Sequence, residues 1–227
     1  NYTQDMGLSN NTINSIAQDS LGYIWIATND GLNRFDGLVF KHYLDNDGTK
    51  DLGSNRINCI YTDSKKRLWL ARNNEGLYQY DYRLDTIKKM AVSGKGIDLN
   101  NIREIYEDSK GRILLGSLYG LSYYMPDLQL VIPVDLFFNE TLHGVNSIVE
   151  DKNHNIWVGT GAGLFKLNKN LKVEKHYTKE THPNALAEDW VSEILFDRDD
   201  NLWICSGISF GIFDTITESQ FFPDIYK

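Results

Sequence analysis

The sequence predicts an all-β protein in which one unit of about 44 residues recurs five times. Three observations support this prediction. Short apolar segments of strand length alternate with polar turns, no segment shows sustained helical periodicity, and a tryptophan-centred segment returns at a nearly constant interval. The 227 residues are 41% apolar and 24% charged, so the chain has the composition of a folded globular protein rather than a disordered one.

The repeat is clearest where an apolar run meets a glycine turn. Residues 22–37 read GYIWIATNDGLNRFDG, and related segments begin near residues 67, 112, 155 and 201. Alignment of these segments gives intervals of 44, 45, 43 and 46 residues within the column Trp25, Trp69, Leu114, Trp157 and Trp203. A second column, upstream of the first, consists of Asp19, Asp63, Asp108, Asp151 and Asp197. We therefore divide residues 1–227, taken as a single segment, into the repeats 8–51, 52–97, 98–141, 142–186 and 187–227.

Each repeat predicts four short strands. In the first repeat these are INSIAQD, YIWIAT, LNRFD and LVFKHYL, separated by turns in which Asp and Gly are favoured. The inner strands are apolar on both faces, which indicates that both faces are buried. Four-stranded sheets stacked radially around an axis satisfy this demand, so we expect five blades of a β-propeller. The fifth repeat is expected to have a loop two residues longer in CSGISFG.

The segment GLSNNTINSIAQDSLGYIWIATNDGLNRFDG, residues 7–37, resembles the two-component-regulator propeller repeat. The resemblance extends over essentially the whole chain. It implies an open arc of a larger, seven-bladed propeller, in the N-terminal part of the extracytoplasmic sensor of a Bacteroides-type hybrid histidine kinase or a related one-component regulator. It further implies a periplasmic, non-catalytic, homodimeric sensor of polysaccharide breakdown products that controls polysaccharide utilisation genes. Kinase activity would lie in the cytoplasmic part of the parent protein.

The first residues bear on whether the ring closes. Tyr2 aligns with Tyr43 and Tyr177, which end the fourth strand of their repeats. We therefore expect an outer strand at the start of the chain that pairs with a blade outside it. Hydrogen bonding of this strand to the segment around Phe221 would instead indicate a closed five-bladed ring.

The charge distribution excludes one class of partner. The net charge is −8 and the pI is near 5.1, and no basic stripe is present that could bind a phosphate backbone, so we expect no contact with nucleic acid. No apolar run approaches the ~20 residues that span a bilayer, so we expect no membrane contact by these residues and any export signal or anchor outside them. The cysteines Cys59 and Cys205 each replace an apolar or small residue in a strand column, which predicts two free buried thiols.

Two repeated features have both a structural and a functional interpretation. The column Trp25, Trp69, Trp157 and Trp203 could stack on sugars, but a recurring Trp in the second strand favours a wedge buried between blades. The segments DKNHN and DRDDN resemble the start of a calcium loop. They lack the glycine and the distal glutamate that complete one, so Asx turns are favoured. We predict no metal site and no cofactor.

No set of residues in the sequence indicates catalysis. The five histidines lie in different repeats without metal-ligand spacing, and no serine occupies a nucleophile elbow. We therefore predict no catalytic residues. Two alternatives stay open: a structural or protein-interaction propeller, and a propeller enzyme, either a sialidase-like glycosidase or a lyase.

The candidate ligand residues lie in loops that vary between repeats. In a propeller, the loops entering the first strand and those joining the second and third strands emerge on one face around the axis. Aromatic residues there could stack on a pyranose ring, and the arginines could hold a carboxylate or a sulfate, which predicts a preference for acidic glycans. The candidates are Asn29, Asp30, Arg56, Arg72, Tyr119, His143, Trp190 and Phe210.

Overall fold

The computed structural model describes residues 2–43, 55–91, 93, 99–136, 144–182 and 186–221. Within these ranges the chain forms twenty strands and one turn of 3-10 helix at Gln4–Met6. None of the described residues belongs to a helix long and apolar enough to cross a membrane.

The strands are numbered in chain order, and each consecutive set of four makes one blade. Blade 1 contains β1 Ile13–Gln18, β2 Ile24–Thr28, β3 Gly31–Phe35 and β4 Phe40–Tyr43; blade 2 contains β5 Ile57–Thr62, β6 Leu68–Arg72, β7 Gly76–Asp81 and β8 Thr86–Lys89. Blade 3 contains β9 Ile102–Glu107, β10 Ile113–Ser117, β11 Gly120–Met125 and β12 Leu130–Val134. Blade 4 contains β13 Val145–Glu150, β14 Ile156–Thr160, β15 Gly163–Leu167 and β16 Val173–Tyr177; blade 5 contains β17 Val191–Phe196, β18 Leu202–Ser206, β19 Ser209–Asp214 and β20 Ser219–Phe221.

Each blade is a separate antiparallel sheet with its strands in sequence order. The second and third strands have the same register in blades 1 and 5, where Thr28 pairs with Gly31 and Ser206 pairs with Ser209. In blade 2, Arg72 pairs with Gly76 across a turn that is one residue longer. The prediction of a longer loop in the fifth repeat is therefore wrong. The glycine that begins the third strand in the other blades is replaced by Ser209, and Gly211 lies two residues inside the strand.

The five blades form an open arc, as predicted. The first strands of successive blades lie side by side in the order β1, β5, β9, β13 and β17. Isoleucines on these strands face the preceding blade; Ile60 and Ile194 are 6% and 3% exposed, whereas Ile16 of blade 1 is 60% exposed. The outward face of blade 1 is thus uncovered.

The tryptophan column is a set of interblade wedges. Trp25, Trp69 and Trp157 are at most 1% exposed. Each contacts an aromatic ring on the third strand of the following blade, namely Tyr80 at 4.6 Å, Tyr124 at 5.7 Å and Phe213 at 5.7 Å between ring centroids. Trp203 was expected to be such a wedge but is only half-buried, because this side of a blade faces the next blade and blade 5 is the last one described.

The aspartate column anchors these tryptophans. In blade 1, Asp19 Oδ1 accepts the backbone N–H groups of Leu21 and Tyr23, and Oδ2 accepts the indole N–H of Trp25 at 2.7 Å. The equivalent indole bonds measure 2.8, 3.1 and 2.8 Å in blades 2, 4 and 5. Hydrogen bonds from Trp203 and Asn201 lower the pKa of Asp197 to about 2. The segments DKNHN and DRDDN form Asx turns of this kind.

Two other expectations require correction. Tyr2 belongs to no strand; its ring contacts Phe35 and Phe40 of blade 1 at centroid distances of 5.0 and 5.6 Å. Both cysteines are free, as predicted, but only Cys59 is buried. Cys205 is half-buried because, like Trp203, it lies on the uncovered side of blade 5.

Candidate functional site

The two sets of candidate loops share one face, as predicted. In every blade a backbone N–H of the turn between the second and third strands donates to a carbonyl of the entering loop, at 2.8 to 3.3 Å. The donor and acceptor pairs are Asn29 and Thr12, Asn73 and Arg56, Leu118 and Asn101, Gly161 and Gly144, and Gly207 and Trp190. We refer to this face as the loop face.

In blade 1 the loop-face side chains bond to neighbouring loops. Asn29 Oδ1 accepts the side-chain N–H of Asn14 at 3.1 Å, and Asp30 Oδ1 accepts that of Asn55 at 3.1 Å. Both residues are exposed, but these bonds satisfy polar atoms of the loops themselves. The first bond lies within blade 1, and the second joins the turn of blade 1 to the loop that enters blade 2.

The two arginines differ in how much of their side chain is committed. Arg72 lies 3.3 Å from the Glu75 carboxylate, its guanidinium lies over the Tyr78 ring at 5.1 Å, and only 11% of its side chain is exposed. Tyr78 also donates to Glu75 at 2.7 Å. Arg56 is exposed, and its carbonyl accepts the Asn73 N–H. Since Glu75 already neutralises Arg72, the predicted preference for acidic glycans loses one of its two supports.

The described residues of blade 4 place little side-chain bulk on the loop face. Its entering loop ends at Gly144, and its turn is Gly161 followed by Ala162. The turn is fixed from below, because the Ala162 carbonyl lies 2.7 Å from Nε2 of His176, whose ring stacks on Phe165 at 3.9 Å. The described part of this loop pair is therefore a glycine-rich surface, formed by Gly144, Gly161 and Ala162, which we call the floor.

Blades 3 and 5 each place a large residue against this floor. A Cβ atom on Gly161 would lie 3.7 Å from Cζ3 of Trp190, and one on Gly144 would lie 3.5 Å from Cδ1 of Leu118. Trp190 thus leans on the floor from one side, and Leu118, which precedes Tyr119, leans on it from the other. We refer to the Gly144–Gly161 surface between Trp190 and the turn that contains Leu118 and Tyr119 as the trough.

The aromatic residues of the trough remain accessible. Trp190 is 54% exposed and Tyr119 is 43% exposed. Two carboxylates precede Trp190 in the same loop: Glu188 pairs with Lys179 at 3.0 Å, and Asp189 accepts the Lys179 backbone N–H at 2.6 Å. Trp190 and Tyr119 therefore offer flat apolar surfaces at the trough, and the loop of Trp190 also carries two hydrogen-bond acceptors.

Two predicted candidates do not belong to the trough. Phe210 lies inside strand β19 rather than in the preceding loop, and its ring stacks on Trp203 at 4.9 Å on the uncovered side of blade 5. Phe210 was predicted to lie in the loop because an insertion of two residues was expected there. His143 lies outside the described residues.

Comparison with known proteins supports the repeat assignment. Three stretches, residues 7–30, 51–71 and 141–162, match the family described as Two component regulator propeller. A 45-residue stretch is 47% identical to Histidine kinase P4 from Formosa agariphila, which covers 20% of this chain and 3% of that protein.

Solved structures share the fold. The extracellular domain assigned to the hybrid two component system BT3049 from B. thetaiotaomicron superposes with a TM-score of 0.81 at 24% identity, over 97% of this chain and 31% of that one. The extracellular domain assigned to the one component system BT4673 gives 0.74 at 16% identity, over 88% and 27%. A virginiamycin B lyase from Staphylococcus aureus gives 0.70 at 16% identity, over 96% and 71%. The chain thus spans about a third of the two extracellular domains.

The matched stretches fall in blades 1, 2 and 4, and the same strand order, Asp turn and second-strand position recur in all five blades. The repeats of blades 1, 2 and 4 thus contain stretches that match the two-component-regulator propeller model, and blades 3 and 5 share their strand order and Asp turn.

Proposed function

We propose that this chain is a non-catalytic, ligand-sensing portion of the extracytoplasmic part of a transmembrane signalling regulator. The regulator would be anchored in the inner membrane, place this arc in the periplasm, and control genes for polysaccharide utilisation. The family match, the short histidine kinase relative and the fold shared with extracellular sensor domains support this proposal.

The observation that carries the ligand assignment is the trough. The face of a sugar ring is apolar and its edge carries hydroxyl groups, so it is complementary to an exposed aromatic plane flanked by carboxylates. Trp190 offers the plane, while Glu188 and Asp189 offer acceptors in the same loop. We assign a pyranose ring of an oligosaccharide to this position, with Tyr119 as the opposite wall.

The charges near the trough favour a neutral saccharide. Glu188 and Asp189 are acidic, and the Arg72 guanidinium already faces Glu75. Asp189 would repel a carboxylate or sulfate on the ligand, and Arg72 would compensate little, while Glu188 is already paired with Lys179. This reverses the preference for acidic glycans expected from the sequence.

Signalling requires the ligand to stabilise one arrangement of the receptor over another. The uncovered faces of blades 1 and 5 are apolar; Ile16 is 60% exposed and Leu195 is 47% exposed. Exposed apolar surface of this kind is typical of an interaction site. We propose a homodimer whose arrangement the ligand biases, and light scattering with and without saccharide tests it.

Isothermal titration against a panel of neutral and acidic oligosaccharides tests the ligand assignment. We expect a neutral oligosaccharide to bind and Trp190→Ala to abolish the heat. Tyr2→Ala is the matched control, because Tyr2 is an exposed aromatic at the opposite end of blade 1. Binding that survives Trp190→Ala would place the site elsewhere, and no heat with any saccharide would favour a structural or protein-interaction propeller.

Because the chain shares its fold with a virginiamycin B lyase, a lyase is the enzymatic alternative that we test. Prolonged incubation with each oligosaccharide and with a cyclic depsipeptide should leave the compound intact by mass spectrometry. Product formation that a single loop-face substitution abolishes would overturn the non-catalytic assignment.

A further inference from the structure

On the face opposite the loop face, the same pair of side chains joins blade 2 to blade 3 and blade 3 to blade 4. At the junction between blades 2 and 3, the Glu107 carboxylate accepts the backbone N–H of Ser64 at 2.6 Å and its hydroxyl at 2.9 Å. At the next junction, Glu150 accepts the same groups of Ser109 at 2.7 and 2.5 Å. We call this pair the Ser–Glu latch.

The latch is absent between blades 4 and 5. The residues at its two positions are Lys152, which follows Asp151, and Phe196, which precedes Asp197. Lys152 pairs with Asp200 at 2.9 Å, and no hydrogen bond joins Lys152 to Phe196 among the described residues. A groove of about 390 Å³ opens at this point.

The groove has an apolar floor and an acidic rim. Phe196 and Phe213 line it from within, and Ile216, 90% exposed, forms one wall. The ionisable residues that line it are four aspartates and one lysine. Two of these aspartates, Asp151 and Asp214, bond to their own turns, whereas Asp199 is exposed at the rim.

We propose that this groove binds a polypeptide segment of a partner protein that carries a basic side chain next to an apolar one. The volume lies within the range of ligand sites, about 300 to 1,000 Å³. A flexible aliphatic wall and a buried Phe suit an apolar side chain, and the excess of carboxylates at the rim suits a cationic one. This site is separate from the trough, which lies on the opposite face, and does not depend on the function proposed for it.

The test is titration of the 227-residue chain with two synthetic peptides, Gly-Leu-Arg-Phe-Lys-Gly and the same peptide with Glu in place of Arg and Lys. We expect only the basic peptide to bind, and its affinity to fall by about threefold or more between 0.05 and 0.5 M salt because screening weakens charge pairing. Equal binding of both peptides, or no binding of the basic one, would overturn the proposal.

The chain supplies its own blocking design. Lys152→Ser combined with Phe196→Glu installs the latch found at two other junctions, so the variant should fold, close the groove and lose the basic peptide. A folded latch variant that binds the basic peptide as tightly as the parent would contradict the assignment. So would a latch variant that loses binding of a neutral oligosaccharide but keeps binding of the basic peptide.

Asp199→Asn provides a milder variant if the double substitution fails to fold. We expect this substitution to lower the affinity for the basic peptide by about two- to fivefold, the range for the loss of one exposed charge pair. Asp127→Asn, an exposed aspartate in blade 3, is the matched control and should leave binding unchanged. Equal effects of the two substitutions would overturn the role of the rim.

Discussion

The junction between blades 1 and 2 and the junction between blades 3 and 4 are built from the same four positions with opposite chemistry. At the first, Trp25 contacts Tyr80, and Tyr43 donates to Asp85 at 2.6 Å. Lys41 and Tyr80 also bond to Asp85, and the Arg34 guanidinium lies over Tyr23 at 4.5 Å. The carboxylate of Asp85 thus gathers three donors, from Lys41, Tyr43 and Tyr80, which hold its pKa below its usual value.

At the same four positions, the junction between blades 3 and 4 is aliphatic. The equivalents of Trp25, Tyr80, Tyr43 and Asp85 are Leu114, Leu167, Val134 and Leu171, which belong to one buried cluster and are at most 9% exposed. Leu171 and Asp85 both have a positive φ, 60° and 55°, in the turn before the fourth strand, although Asp85 directly precedes β8 and Leu171 lies two residues before β16.

Between these two junctions the four positions differ as a set rather than one residue at a time. A polar or aromatic set is stable when all its members are present, and so is an aliphatic one, whereas a mixture would leave a buried charge or a void. Since a repeat protein is stabilised by nearest-neighbour interfaces, each junction can change independently of the others.

The largest expected effect is at an aromatic junction. Trp157→Ala should lower the free energy of unfolding by about 3 to 5 kcal/mol, the range for truncating a buried large aromatic, and urea denaturation measures it. Trp203→Ala is the control in the same column and should cost clearly less, because Trp203 is half-buried. Equal losses would contradict the wedge assignment.

A mixed junction should be worse than either pure one. Leu114→Trp restores the column residue but places it among Leu167 and Leu171, so overpacking should cost about 1 to 3 kcal/mol. Added Leu167→Tyr and Leu171→Asp should recover part of the loss. A single Leu114→Trp variant more stable than the parent would show that the junctions are interchangeable residue by residue.

Glu104 on the first strand of blade 3 and Glu193 on the first strand of blade 5 predict that the stability of the fold depends on pH. Burial, and then the proximity of Glu193, raise the pKa of Glu104 to about 8. A carboxyl group that holds its proton more tightly when folded stabilises at low pH, and this stability is lost as pH rises from about 4.5 to 8. Glu104→Gln should therefore gain stability over the parent across that window, as followed by thermal melting. A constant difference between pH 4 and 8 would refute this, and exposed Glu180→Gln is the control.

The smallest effect is expected at the charged edge of the junction between blades 1 and 2. Asp85→Asn should cost less than about 1 kcal/mol, because 41% of the Asp85 side chain is exposed. The loss should shrink in high salt. We expect the stability loss caused by Leu171→Asn, at the aliphatic positions, to be independent of salt. An equal salt dependence of both losses would contradict the contrast between the two junctions.

The sequence predicted the features that repeat in register and missed those that depend on contacts between repeats. Strand order, the Trp wedges and the Asx turns follow from columns read along one chain. The indole bonds to Asp19 and its equivalents join two columns that the sequence shows separately. The position of Phe210 was mispredicted because Gly211 was aligned with the glycine that begins the third strand in the other blades. The pairing of Arg72 with Glu75 is a side-chain contact that the repeat columns do not show.

The trough was predictable only in part. Tyr119 and Trp190 stood out as loop aromatics, but the floor between them arises because Gly144 and Gly161 belong to the intervening blade. In the sequence, Ser64 and Glu107, which form one Ser–Glu latch, are ordinary polar residues. Their pairing becomes apparent only when neighbouring blades pack side by side.

One measurement separates the two roles of tryptophan on which this account depends: oligosaccharide titration and thermal melting of Trp190→Ala and Trp157→Ala side by side. We predict that Trp190→Ala loses neutral oligosaccharide binding with an unchanged melting temperature, and that Trp157→Ala melts earlier while its folded fraction still binds. Loss of binding in Trp157→Ala below its melting temperature, with binding intact in Trp190→Ala, would contradict the account.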